Sequence, residues 1–215
     1  MEYRMVLQGG EGEITEKKSR FIATVRPVKS EEEAAAFIES VRKQYWDARH
    51  NCYAYVIGER QEVQRYSDDG EPGGTAGRPM LDVLLGENLH DTAVVVTRYF
   101  GGTLLGTGGL VRAYQGAAKE GLAASRVVVR REGVRLGITA EYPDLGRIQY
   151  LLGERGIPVL ASAYAEKVDL EALVPAGEKE ALLEELTDGT GGRAILAERG
   201  ACFYAKEDGK IQVLA

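Results

Sequence analysis

The stretch from Val94 to Ala118 constrains the fold of this 215-residue chain more than any other part of it. It opens on a β-branched run, Val94-Val95-Val96-Thr97, passes through Arg98-Tyr99-Phe100, and reaches Gly101-Gly102 and then Gly106-Thr107-Gly108-Gly109. A β-branched apolar run reads as a buried strand, and the glycines after it end regular structure. Leu110, Tyr114, Ala117, Ala118, Gly121 and Leu122 then recur at helical spacing, so a helix with a small-residue face packed closely on a sheet is expected. Strand, glycine loop and helix form a geometry suited to anions. The first turn of the helix has unpaired N–H groups and the positive end of the dipole, and glycines let a ligand's oxygens approach the backbone. Arg98 and Arg112 flank that mouth.

A second unusual stretch, Arg65 to Pro79, is too rich in glycine and proline for regular structure and reads as a long loop before a helix starting near Thr75. Loops of this length in compact domains are mostly functional. Its acids, Asp68, Asp69 and Glu71, allow two readings: Mg²⁺ ligands completed by a phosphate, or a turn whose carboxylates cap nearby N–H groups, which is preferred. If the two loops lie side by side, they enclose an anion-binding cleft. Gly73, Gly74, Thr75, Gly101, Gly102, Gly106, Thr107, Gly108 and Gly109 line it, and Arg78, Arg98 and Arg112 stand on its rim. The nucleotide motifs are not met, since no Lys-Ser/Thr follows Gly109 and the dinucleotide fingerprint is absent. His50 and His90 lack metal spacing, Ser67 lacks a hydrolase elbow, and Cys52 and Cys202 read as buried reduced thiols.

The net charge of -6 disfavours nucleic acid only on average. Up to Arg131 there are 18 basic and 18 acidic residues, and from Glu132 on there are 9 against 15. Between Arg98 and Arg131 the only acid is Glu120, against Arg98, Arg112, Lys119, Arg126, Arg130 and Arg131, so a local basic face is compatible with the whole-chain charge. Tyr66, Tyr99, Phe100 and Tyr114 lie near those arginines in sequence and would suit stacking on unpaired bases. No apolar run approaches the ~20 residues of a membrane span, and the first residues lack the features of a signal peptide, so a cytoplasmic protein without a membrane partner is expected.

The chain changes character near Glu132-Gly133, which predicts domains at 1–132 and 133–215. The first begins with strand-like patches Arg4–Leu7 and Phe21–Val25 separated by Lys17-Lys18-Ser19-Arg20, read as a solvated turn, then a helix capped by Ser30. The second reads strand, helix, strand, strand, helix, strand, the ferredoxin-like split motif, with Ala194–Tyr204 as its last strand.

Three segments, His50-Asn-Cys-Tyr-Ala-Tyr55, Tyr66-Ser-Asp-Asp-Gly-Glu-Pro-Gly-Gly-Thr-Ala-Gly-Arg-Pro79 and Thr97 to Tyr114, resemble the YigZ/IMPACT family of two-domain proteins. The resemblance implies an α+β fold. Its N-terminal domain would be a βαβ fold like the second domain of a small-subunit ribosomal protein, with a left-handed crossover that violates the usual handedness. Its C-terminal ferredoxin-like βαββαβ domain would resemble the fifth domain of elongation factor G. Eukaryotic relatives regulate translation through an extra N-terminal module, which this chain, starting at the shared domain, is expected to lack. A translation-associated binding protein is therefore expected, engaging RNA or the ribosome through the glycine-loop cleft and needing no cofactor. The alternatives are an enzyme acting on a phosphorylated or nucleotide substrate with Mg²⁺ at Asp68, Asp69 and Glu71, or loops that only pack backbones while the acidic second domain binds a protein partner.

Overall fold

The computed structural model describes residues 2–207 and 210–214. The chain forms two compact units that divide between Val129 and Arg130, and each has its own hydrophobic core.

The first unit contains β1 (Tyr3–Gln8), β2 (Glu11–Glu16), β3 (Ser19–Pro27), α1 (Glu31–Gln44), β4 (His50–Ile57), β5 (Val63–Ser67), α2 (Gly77–Gly86), β6 (Leu89–His90), β7 (Thr92–Tyr99) and α3 (Gly106–Ala123). β8 (Arg126–Ala140) starts in it and continues unbroken through the division, so a single strand stands where a boundary was expected at 132/133. A five-stranded sheet in the order β2-β3-β7-β4-β5 is antiparallel throughout, and β1 pairs in parallel with β6. Because β3 and β4 both run antiparallel to the intervening β7, they are parallel to each other, and α1 carries the chain across β7 between them.

β7 reads as a continuous apolar run because both faces of the sheet are covered. Val94 and Val96 face α2 and α3 with Phe21, Cys52, Met80, Leu84 and Tyr114, while Ala93 and Val95 face α1 with Phe37, Ile38 and Val41. Fully burying each such aliphatic or aromatic side chain contributes roughly 1.5–3 kcal/mol. The small residues of α3 are explained by contact distance: a Cβ on Gly121 would lie 2.9 Å from both Ala23 Cβ and Val25 Cγ2.

β2 escaped the sequence pattern. It is an edge strand of sequence Glu-Gly-Glu-Ile-Thr-Glu, paired to β3 from Glu11↔Thr24 to Glu16↔Ser19, with only Ile14 packed on the core. Lys17 and Lys18 make the turn into β3 with φ of 45° and 66°, the left-handed conformation that two-residue hairpin turns normally reserve for asparagine and glycine.

The second unit continues from β8 through α4 (Tyr142–Glu154), β9 (Val159–Tyr164), β10 (Val168–Pro175), α5 (Lys179–Gly189) and β11 (Ile195–Glu207) to β12 (Lys210–Leu214). Its strands lie in the order β9-β10-β8-β11-β12, all antiparallel, which is the ferredoxin-like βαββαβ arrangement with one added strand. The strand predicted to be last is therefore followed by another. Leu136, Ile138, Ile148, Leu152, Leu170, Leu182 and Leu186 form the core under α4 and α5. Gly191 and Gly192, with φ of 58° and 72°, turn the chain after α5. No helix among the described residues is long and apolar enough to cross a membrane.

Candidate functional site

The three segments singled out above meet at one end of the first unit. Arg98, the next-to-last residue of β7, is 7% exposed, and its Nη1 donates to Glu71 Oε1 at 2.6 Å. The same carboxylate oxygen accepts the Tyr114 hydroxyl from α3 at 2.8 Å, and Cys52 Sγ of β4 lies 3.4 Å from that hydroxyl and 3.0 Å from the Asp68 carbonyl oxygen. Charges this far from water need close pairing and further hydrogen bonds to offset desolvation, and Glu71 receives both. Burial pushes the Cys52 thiol and the Tyr114 phenol far up from their ordinary ranges, and the Glu71 carboxylate beside them adds to both shifts. Both stay protonated at neutral pH, so neither is an activated nucleophile or base.

Each acid of the Asp68–Glu71 loop has its own protein partners. Asp68 accepts the N–H groups of Gly74, Ala76 and Gly77 at 2.7, 3.0 and 2.8 Å and so closes the start of α2. Asp69 accepts the Asn51 N–H at 2.7 Å and Arg42 Nη2 at 3.0 Å. Glu71 holds Arg98 and Tyr114. Among the described residues no cluster of three or more metal-ligating side chains occurs, and this donor set does not fit Mg²⁺.

The three arginines expected on one rim have three different surroundings. Arg78 is exposed and pairs with Asp82 one turn along α2 at 2.8 Å. Arg98 is a buried partner of Glu71. Arg112 is exposed on α3, with Nη1 3.7 Å from where a Cβ on Gly108 would lie. The two glycine loops differ as well. In the first, Gly73 and Gly74 are exposed, but the Gly74 N–H is bound to Asp68, and buried Thr75 donates its hydroxyl to the Pro72 carbonyl at 2.6 Å. In the second, Gly101 lies so close to the Lys17-Lys18 turn that a Cβ would fall 2.0 Å from the Lys18 carbonyl carbon. Beyond it Gly102 and Gly106, with φ of 85° and 70°, and Thr107 and Gly108 are exposed, while Gly109 is half-buried. α3 begins there with no side-chain cap and no acid in its first turn. One helix start is closed by its own carboxylate and the other is open.

Beside Arg98 there is a cavity of about 470 Å³ lined by Asp47, Arg49, His50, Arg98, Tyr99, Phe100 and Leu104. The Arg98 guanidinium carbon lies 5.4 Å from the Phe21 ring centroid and 5.6 Å from that of Phe100. Its Nε is buried without a hydrogen-bond partner among the described residues. The Tyr99 hydroxyl donates to Asp47 Oδ1 at 2.7 Å. His50 Nδ1 lies 2.8 Å from the Asp69 carbonyl oxygen, which only accepts, so Nδ1 carries the proton. Phe100 and Leu104 are 57% and 83% exposed. Lys17, Lys18, Arg49, His50 and Leu104 were missing from the sequence-based site. The local signal for the two lysines was the basic tetrapeptide between the first strands.

Two segments of the chain match known domain families: residues 17–122 match the Impact N-terminal domain, and residues 138–193 match a domain of unknown function, DUF1949. The chain is 45% identical to the IMPACT family member YvyE of Bacillus subtilis over 204 residues, 95% of this chain and 94% of that protein. It is 40% identical to the IMPACT family member YigZ of Escherichia coli, over 82% of this chain and 87% of the relative. The Protein IMPACT homolog of Dictyostelium discoideum is 41% identical over 97 residues, 43% of this chain and 28% of its own length. A crystal structure of a hypothetical protein matches with a TM-score of 0.59 at 36% identity, covering 91% of this chain and 96% of that one.

Proposed function

The chain belongs to the IMPACT family, and from that premise we propose that it is a translation-associated protein that holds RNA, free or within the ribosome, on the cationic end of its first unit. The observation that carries this reading is that exposed cations from separate segments flank the loop before α3: the Lys17-Lys18 turn lies against Gly101, Arg49 shares a cavity wall with the exposed Phe100, and Arg112 lies beside Gly108 at the open helix start. No ion pair engages these four cations among the described residues. Phosphates suit such a surface, because lysine, arginine and helix-start N–H groups hold them without reading sequence, while aromatic faces accept unpaired bases. The second unit's excess of acid repels phosphate, so the contact is assigned to the first unit.

The test is RNA binding measured against salt for the wild type and for the combined variant Lys17→Ala, Lys18→Ala, Arg49→Ala and Arg112→Ala. Loss of four phosphate contacts lowers the slope of log affinity against log salt by roughly 3, at about 0.7 per contact for a single strand. Absence of binding at low salt, or a slope that the four changes leave alone, overturns the proposal.

A further inference from the structure

We propose that the cavity beside Phe100 takes one unpaired nucleotide of the bound strand, its base against the Phe100 ring and its phosphate on Arg49. The inference rests on the RNA-binding reading and adds which part of the RNA enters the protein. The volume of about 470 Å³ is that of a small-molecule site and excludes a duplex, whose bases are turned inward. Its walls supply three things together. Phe100 and Leu104 form an exposed apolar side, and Arg49 brings an exposed cation.

The third is a mixed set of donors and acceptors. Arg98 has committed Nη1 to Glu71, while its Nε remains a buried, unpartnered donor on a residue of the cavity wall. Buried donors are normally satisfied, so this one marks a place for an acceptor. His50, whose Nδ1–H donates to the Asp69 carbonyl oxygen, keeps Nε2 uncommitted, and Asp47 keeps Oδ2 as an acceptor after Oδ1 has accepted the Tyr99 hydroxyl. A nucleobase edge has donors and acceptors side by side, and the base adds a flat face and the nucleotide an anion. A simple phosphate would leave the aromatic wall unused, and an apolar peptide side chain would leave the polar groups unused. Arg98 is a positioning residue as well, since its guanidinium carbon lies over the Phe100 ring, 5.6 Å from the centroid.

The test combines affinity with a local probe. Single-stranded oligonucleotides are titrated into the full chain and into Phe100→Ala, an exposed substitution that leaves the core intact. Nucleoside monophosphates are titrated while the Arg98 Nε–H and the Phe100 and Leu104 amide resonances are followed by NMR. Phe100→Ala should weaken single-strand binding by about 5- to 150-fold, the usual loss for one stacked base, without changing the salt slope. Duplex RNA should be indifferent to the change, and nucleoside monophosphates should shift the Arg98 Nε–H.

If oligonucleotides bind equally well to Phe100→Ala and monophosphates move none of these resonances, the pocket assignment is overturned and RNA binding stands. If RNA fails to bind while monophosphates still shift Arg98 and Phe100, the RNA reading falls and the cavity remains a nucleotide site. If only peptides perturb these resonances, the nucleotide assignment is overturned in favour of a protein partner.

Discussion

Glu71 is the residue through which three distant segments are joined, since one oxygen of its carboxylate accepts from both Arg98 and Tyr114. Its removal leaves a guanidinium in a site where the arginine and glutamate side chains are only 8% and 4% exposed. Glu71→Ala should therefore cost about 3–5 kcal/mol, the usual loss when one partner of a buried pair is deleted, and denaturant unfolding measures it. A variant within about 1 kcal/mol of the wild type would show that the pair is dispensable. Arg98 illustrates what was hard to read in the sequence. Next to a glycine loop an arginine reads as a ligand-facing cation, and its burial is decided by a carboxylate 27 positions earlier. The carboxylate triplet was more legible. A turn rich in acids and glycine was expected to cap its own N–H groups, and Asp68 binds three of them.

At the scale of elements, the Lys17-Lys18 turn sets stability against surface charge. Both residues hold left-handed φ, which costs an L-residue with a side chain roughly 1–2 kcal/mol. The double change Lys17→Asn and Lys18→Gly should raise unfolding stability by on the order of 1 kcal/mol and reduce the RNA salt slope by roughly 1.4, two contacts at about 0.7 each. Stabilisation with an unchanged slope would remove these lysines from the binding surface. Elements whose burial follows one period were legible: the apolar run of β7, the small face of α3, and the strand and helix order of the second unit. β2 was not, because an edge strand with Ile14 as its one core contact has no alternation to read. The open start of α3 was foreseen from its glycines, whereas the closed start of α2 depends on Asp68 reaching six to nine residues along the chain.

At the scale of the whole molecule the two units answer to different solution conditions. In the second, Asp144 in the first turn of α4 is held below its usual range, chiefly by hydrogen bonds from Arg193 at 3.1 and 2.5 Å. A depressed carboxylate pKa adds stability that is present above the unfolded value of about 3.9 and is lost as pH falls through the folded one. Asp144→Asn should thus lower stability at neutral pH, and its unfolding curve should converge on that of the wild type as pH drops below about 4. A constant gap across that range would show that the pair does not titrate with folding. Salt, in contrast, acts on the cationic end of the first unit. That end also contains the chain's single tryptophan, Trp46, which is 83% exposed and directly precedes Asp47 of the cavity wall. The molecule therefore has its one indole reporter on its proposed binding surface and none in its cores. Indole emission should already be red-shifted in the native protein and change little on unfolding, which circular dichroism must follow instead. A nucleotide entering the cavity should quench it, so the same fluorescence that is nearly blind to folding would count bound ligand without a label.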